Sequence, residues 1–208
     1  MDMIILTLTG RSPLLMHSAR FADPLDAGAR NHAALVKVAK KSKTPEAILA
    51  VAKSEYLGGI YHDHLLGPYV PGTMVRAALV DGARLSREGK DVARAVQIID
   101  DRLALEYAGP RDPEALWENP AFRDGRTVVV SNRRVMRYRP MFKQWALQAR
   151  VFFDPSMVEP AKLLMFADKA GQYVGIGDFR PDKGGSFGRF KVTAGPVICD
   201  VAGDDDAE

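Results

Sequence analysis

Gly175-Ile176-Gly177-Asp178-Phe179-Arg180-Pro181-Asp182-Lys183-Gly184-Gly185-Ser186-Phe187-Gly188-Arg189-Phe190 is the turning point of the chain. It holds five glycines, three basic side chains and three phenylalanines, and apolar segments flank it on both sides. Glycine accepts positive φ and close backbone approach. A glycine-rich turn can also present peptide N–H groups to an anion. Arg180, Lys183 and Arg189 could neutralise phosphates, and Phe179, Phe187 or Phe190 could stack on a base. The alternative is a surface turn whose phenylalanines belong to the core.

The elements around this loop set the fold class. The stretch before it, from Pro155 to about residue 172, is predicted helical, with Leu163, Leu164, Phe166 and Ala167 apolar. After it, Phe190–Val197 reads as the last strand. Met3–Leu8 reads as the first strand, closed by Gly10-Arg11-Ser12-Pro13. Residues 29–54 are predicted as a helical insertion, with Thr44 as N-cap and Pro45 at the first helical position. Its Lys37, Lys40, Lys41 and Lys43 form either a solvated face or a second phosphate contact. Leu57–His64 suggests a short strand or a hairpin arm. Residues 74–86 predict an amphipathic helix opened by Gly72-Thr73, and Asp91–Ile99 another short helix. Leu103–Tyr107 reads as a strand and Ala108–Gly125 as a loop or insertion. Thr127–Tyr138 and Trp145–Phe153 read as two long strands forming an antiparallel hairpin.

Without insertions the order is strand, helix, strand, strand, helix, strand. The expected fold is therefore α+β, with a ferredoxin-like (RRM-like) βαββαβ core. It carries a helical insertion after strand 1, a long β-hairpin at 127–153 and a C-terminal glycine-rich loop at 175–190. Residues 1–199 are expected to form one domain and residues 200–208 an acidic disordered tail.

Composition narrows the partners. The 208 residues are 47% apolar, enough for a core. A single cysteine, Cys199, excludes an internal disulfide and a cysteine-rich zinc site. No signal peptide and no apolar run of spanning length is evident, which predicts a soluble, cytoplasmic protein without membrane contact. Residues 200–208 carry five acids; taking them from a net charge of +3 leaves +8 on residues 1–199. A basic body suits an anionic ligand, and the acidic tip is either a competitor for that ligand or a solubilising end.

The densest basic cluster is Arg133, Arg134, Arg137, Arg139 and Lys143, interleaved with Tyr138, Phe142 and Trp145. Arginine pairs bidentately with phosphate and stacks on bases. Arg133 and Arg137 should share one strand face and Arg134 the other. The alternative is an edge strand protected by charge. Thr73 and Arg76 at a helix start could hold another phosphate. Trp145 and Phe187 are the stacking candidates. His62 and His64 would share a strand face, but no carboxylate or cysteine completes a metal set, so neither metal nor cofactor is expected. The GxxxxGK[ST] signature is absent, and Gly175-Ile176-Gly177 follows a helix, the wrong context for a dinucleotide fingerprint. No nucleophile elbow surrounds Ser12 or Ser18.

Three segments together resemble the RAMP superfamily, which supplies backbone subunits and processing nucleases of CRISPR antiviral effector systems. Tyr69-Val70-Pro71-Gly72-Thr73-Met74-Val75-Arg76-Ala77-Ala78-Leu79 is similar to its helix-opening motif, with Asp63 shortly before. Gly184-Gly185-Ser186-Phe187-Gly188-Arg189-Phe190 resembles its C-terminal glycine-rich loop. Ser12-Pro13-Leu14-Leu15-Met16-His17 resembles the segment after its first strand, with that segment's glycines missing. The resemblance implies a ferredoxin-like core that binds single-stranded RNA, stacks head to tail with copies of itself and joins other effector subunits. In that family an inserted hairpin reaches over the neighbouring subunit and kinks the strand. The short chain suggests a divergent stand-alone relative, of phage or plasmid type. An acidic tip is common on single-stranded-DNA-binding proteins, which keeps DNA open as the ligand. Some members cleave RNA with an aspartate after the first strand, where Asp23 and Asp26 lie, and processing members use a histidine, for which His17 is the candidate. No motif singles out any of the three. The expectation is a non-enzymatic single-strand binder, with a metal-independent endoribonuclease as the alternative.

Overall fold

Leu6 and Leu8 are 0% and 1% exposed, while the intervening Thr7 is half-buried and Ile5 is exposed. That period-two alternation makes the first strand one-sided. The computed structural model describes residues 1–130 and 132–199. The side chains of Val130 and Arg133 lie outside the described part, as do Ser131 and the acidic stretch 200–208.

In chain order the elements are β1 (Asp2–Gly10), β2 (Leu14–Leu15), α1 (Ala27–Ser42), α2 (Pro45–Gly59), β3 (His62–Asp63), β4 (Gly67–Pro71), α3 (Gly72–Arg84) and α4 (Gly89–Ala95). Then come β5 (Val96–Ile98), β6 (Arg102–Ala104), α5 (Pro113–Glu118), β7 (Arg123–Val130), β8 (Arg133–Phe142), β9 (Ala146–Phe153), α6 (Pro160–Lys169) and β10 (Phe190–Ile198). The protein is mixed α and β with antiparallel sheets. Among the described residues no helix is long and apolar enough to cross a membrane. The chain divides into two compact units: Met1–Leu14, Tyr69–Tyr107 and Gln144–Glu208, the sheet unit; and Leu15–Pro68 and Ala108–Lys143, the hairpin unit.

The sheet unit is built on four antiparallel strands in the order β10-β1-β9-β5. Ile4, Leu6 and Leu8 of β1 and Leu147, Ala149, Val151 and Phe153 of β9 form one buried face. Each such leucine, valine or phenylalanine contributes about 1.5–3 kcal/mol over an exposed one. Val75, Leu79 and Ala83 of α3 and Leu163 and Phe166 of α6 supply the apolar layer that covers it. Gly82 lets the two helices approach until a Cβ would strike the Phe166 carbonyl oxygen. β10 is an edge strand, mostly exposed, and it tolerates Pro196 for that reason.

The glycine-rich loop is a joint of this unit. Ile176 N–H donates to Gly188 O at 3.0 Å, Phe187 N–H to Phe179 O at 3.2 Å, and Gly188 N–H to Pro13 O at 2.8 Å. Arg189 N–H donates to Ser12 Oγ at 2.9 Å and Gly177 N–H to Met74 Sδ at 3.2 Å. Gly175, Gly177, Gly184 and Gly188 all take φ between 67° and 80°. The loop therefore uses these donors to close on itself and on the end of β1; they do not face outward to an anion.

The hairpin unit pairs two helices with a β-ribbon. Asp26 caps α1 by accepting from Ala29 N–H at 2.9 Å, and Thr44 caps α2 by accepting from Ala47 N–H at 3.3 Å, with Pro45 following. Lys43 takes φ 54° between the helices. α1 buries none of its side chains. α2 buries Ala52, Glu55, Tyr56, Gly58 and Gly59. β7 and β8 pair from Arg123↔Pro140 to Val130↔Arg133.

Three sequence expectations need correcting. The hairpin is β7–β8, with its turn inside the run Thr127–Tyr138, where Asn132 takes φ 61°; asparagine tolerates that region best among residues with a side chain. The run Trp145–Phe153 contributes β9, which pairs with β1 and β5. Val96–Ile98 is a strand, because three of the four residues from Val96 to Ile99 are β-branched and suit a pleated surface; Leu103 lies in β6, which pairs with β4. The stretch Ala108–Gly125 contains α5, since Asp112 accepts from Ala115 N–H at 2.8 Å and Pro113 opens the turn.

Two glycine substitutions separate strain from collision. Gly184 has φ +74° and nothing within 4 Å of a Cβ, so Gly184→Ala should cost about 1–2 kcal/mol. At Gly188, φ is +67° and a Cβ would overlap the Ile176 carbonyl, so Gly188→Ala should cost about 3 kcal/mol or more. Urea denaturation of both variants measures the gap.

Candidate nucleic-acid interface

The positive charge is concentrated in the hairpin unit, with fifteen Lys and Arg against nine Asp and Glu, a net of +6. The sheet unit up to residue 199 carries fourteen against twelve, a net of +2. On α1 and at its end, Arg30, Lys37, Lys40, Lys41 and Lys43 are exposed. On the ribbon, Arg134 and Lys143 are exposed as well.

β8 presents different chemistry on its two faces. Arg137 and Arg139, two residues apart, line a cavity of about 510 Å³ together with His17, His32, Glu55 and Val128. Met136 and Tyr138, on the other face, line a mainly apolar cavity against Val36, Ile48 and Val51. Glu55 anchors the ribbon to α2: its Oε1 accepts from Arg137 Nη1, and its Oε2 accepts from Tyr138 N–H at 3.0 Å. Glu55 is 9% exposed, so both carboxylate oxygens need these donors. On β7, Arg126 is likewise held by the buried Asp124.

His32 stacks on Phe21, with ring centroids 4.6 Å apart at 23°, and its Nδ1 lies 3.2 Å from Ser54 Oγ. Burial pushes the imidazole below its ordinary pKa, Glu55 opposes that shift and Arg137 adds to it. Gly58 permits the stack: a Cβ there would enter the Phe21 ring. His17 sits exposed at the rim of the same cavity.

The remaining expected site residues have structural partners or lie in the core. Trp145 is 3% exposed; its indole N–H donates to Ser12 O at 2.9 Å and its ring lies edge-on to Phe190. Phe187 is 9% exposed and packs beside Phe179. Both are core side chains and do not form a stacking platform. Thr73 is exposed, but it does not cap α3, whose N-cap is Pro71 with no side-chain bond. Arg76 donates to Val96 O and Ala93 O, closing the C-terminal end of α4, so its guanidinium serves backbone carbonyls. Arg180 donates to Gly177 O and pairs with Asp182, which also takes Lys183 at 3.1 Å. Arg189 donates to Gln172 O.

Asp26 and Asp23 serve turns and caps: Asp26 binds Ala29 N–H and Arg20, and Asp23 accepts from Leu25 N–H at 2.8 Å. His62 lies 3.0 Å from Arg111 O, edge-on to His64. The sequence reading missed Glu55, His32 and Phe21. For Glu55 a signal existed: a carboxylate on the stripe Ala52, Glu55, Tyr56, Gly59, where an apolar side chain belongs, demands a buried donor. No protein-family model matches the chain, and no curated protein matches it.

Removing the Glu55 carboxylate should strand a half-buried guanidinium. Glu55→Ala should lower stability by about 2–3 kcal/mol in chemical denaturation. The His32 shift gives a pH signature. The folded ring resists protonation, so just below pH 6.5 the unfolded chain binds more protons. Stability is therefore full above that value and declines as pH falls from it through the lower folded-state value. His32→Gln should flatten that part of the stability–pH curve.

Proposed function

We propose that the protein is a single-stranded nucleic-acid-binding protein, with RNA favoured over DNA, whose core is ferredoxin-like and akin to the RAMP superfamily. The strand order β10-β1-β9-β5, joined through α3–α4 on one crossover and α6 on the other, supports that fold reading. The observation that carries the function is the +6 of the hairpin unit, with Arg134, Lys143 and the lysines of α1 exposed. Such a surface attracts a polyanion by releasing its counterions. The ligand contacts come from these exposed cations and from Arg137 and Arg139. The sheet-unit residues Arg76, Arg180, Lys183 and Arg189 hold the scaffold. Binding is sequence-tolerant, and copies assemble head to tail along the strand in the cytoplasm.

A second reading, metal-independent RNA cleavage, rests on His17 and His32 lining one cavity with Arg137 and Arg139. Incubation of RNA with the protein in chelator separates the two. Intact RNA supports the binder; cleavage abolished by His17→Ala supports the nuclease.

Affinity for a labelled single-stranded oligonucleotide should fall steeply between low and high salt. Arg134→Ala and Lys143→Ala should each reduce the logarithmic salt slope by about one while leaving stability unchanged. Salt-independent binding, measured by anisotropy, would overturn the proposal.

A further inference from the structure

We propose that the cavity lined by His17, His32, Arg137 and Arg139 receives the terminal phosphate monoester of a nucleic-acid strand. The inference rests on the nucleic-acid reading and names the group that this part of the surface takes.

The charge of the cavity favours an anion. Among the described residues Glu55 is the one carboxylate on its wall, and both its oxygens already accept bonds from Arg137 and Tyr138. The described lining thus places two guanidinium groups and two imidazoles beside that carboxylate. Arg137 gives one Nη1 bond to Glu55, and a guanidinium has five N–H donors. Arg137 and Arg139 are alternate residues of one strand, about 6.7 Å apart along it. Two guanidinium groups on one strand face can together engage a tetrahedral group with three peripheral oxygens.

The shape favours a chain end. Glu55, Gly58 and Gly59 form a buried floor, and His17, Ala19 and Ala22 are exposed at the rim. A strand threading through would need a second opening at that floor. The 510 Å³ volume exceeds what phosphate alone requires and admits a terminal nucleotide behind it. A terminal monoester also carries close to two negative charges at neutral pH, against one for an internal diester.

The imidazoles complete the site. With Nδ1 of His32 against Ser54 Oγ, Nε2 is the ring nitrogen left to donate to an oxyanion. Burial disfavours the charged ring in the empty cavity, and a bound dianion reverses that balance. Among the described residues the charged and titratable groups facing it are His17, Glu55, Arg137 and Arg139.

The test compares one short oligonucleotide bearing a 5′-phosphate, a 3′-phosphate or hydroxyls at both ends, binding the full chain in anisotropy. One phosphorylated form should bind about tenfold tighter than the hydroxyl form, and which one identifies the end. Arg139→Gln should weaken the phosphorylated forms more than the hydroxyl form and so erase that ratio. Arg139→Lys, which keeps the charge, should lose only part of it, and circular dichroism checks that both variants fold. Arg134→Gln should weaken all three forms and keep the ratio. Separately, inorganic phosphate added to the wild type should raise the titration midpoint of the His32 C2 proton in NMR. Equal affinity for all three ends, or a ratio unchanged in Arg139→Gln, would sink the pocket and leave strand binding intact. A His32 response to phosphate with no strand binding would instead sink the nucleic-acid reading and keep the pocket.

Discussion

A side chain at position 10 would fill the space in which the Trp145 indole lies. The sheet unit depends on that vacancy. With only hydrogen at Gly10, the ring covers the end of β1 and its N–H reaches Ser12 O, while Gly10 N–H donates to Trp145 O at 2.8 Å. Arg11 N–H then finds Arg189 O at 2.7 Å, and the glycine-rich loop closes on Pro13 and Ser12. Polar backbone that would otherwise be stranded where a strand ends is paired in this way. The central strand is thus fixed in register against both neighbours by contacts just beyond its last residue.

The hairpin unit is held by a different kind of constraint. Its ribbon is fastened to α2 through one buried carboxylate, and the same carboxylate orients the Arg137 guanidinium. Arg137 is oriented by Glu55, Arg126 by Asp124, and Arg134 and Lys143 stand in solvent. Arginines close together in sequence therefore do separate jobs, decided by whether a neighbouring element offers an acid.

Much of the fold was legible because it rests on local chemistry. Thr44-Pro45 marks a helix start through its own side chain and ring, and the alternation of Met3–Leu8 marks a one-sided strand. The errors share a cause. Thr127–Tyr138 carries β-branched residues on both sides of its middle and arginines that can alternate along a strand, so periodicity alone does not place a turn within it; Ser131-Asn132 was the local clue. Val96–Ile98 follows a helix without a break, and only pairing with β9 makes it a strand. For the site, composition located the basic hairpin but not the partners that occupy its charges. Trp145, Arg76, Arg180 and Arg189 look like ligand-binding groups by type, yet each is satisfied by backbone or acid brought near by long-range folding. Glu55 and His32 could be joined to Arg137 only by the packing of α1 and α2 on the ribbon.

One feature of the insertion reaches past packing. α1 contributes no interior side chain; its caps and its contact with α2 hold it in place. The residues on its outward side are thereby released from the demands of the core. Exchanging lysine for a neutral or acidic residue there would alter the protein's long-range pull on a polyanion while barely touching its foldedness. Selection can tune that pull in small, reversible steps, one surface position at a time, without reopening the question of how the chain folds.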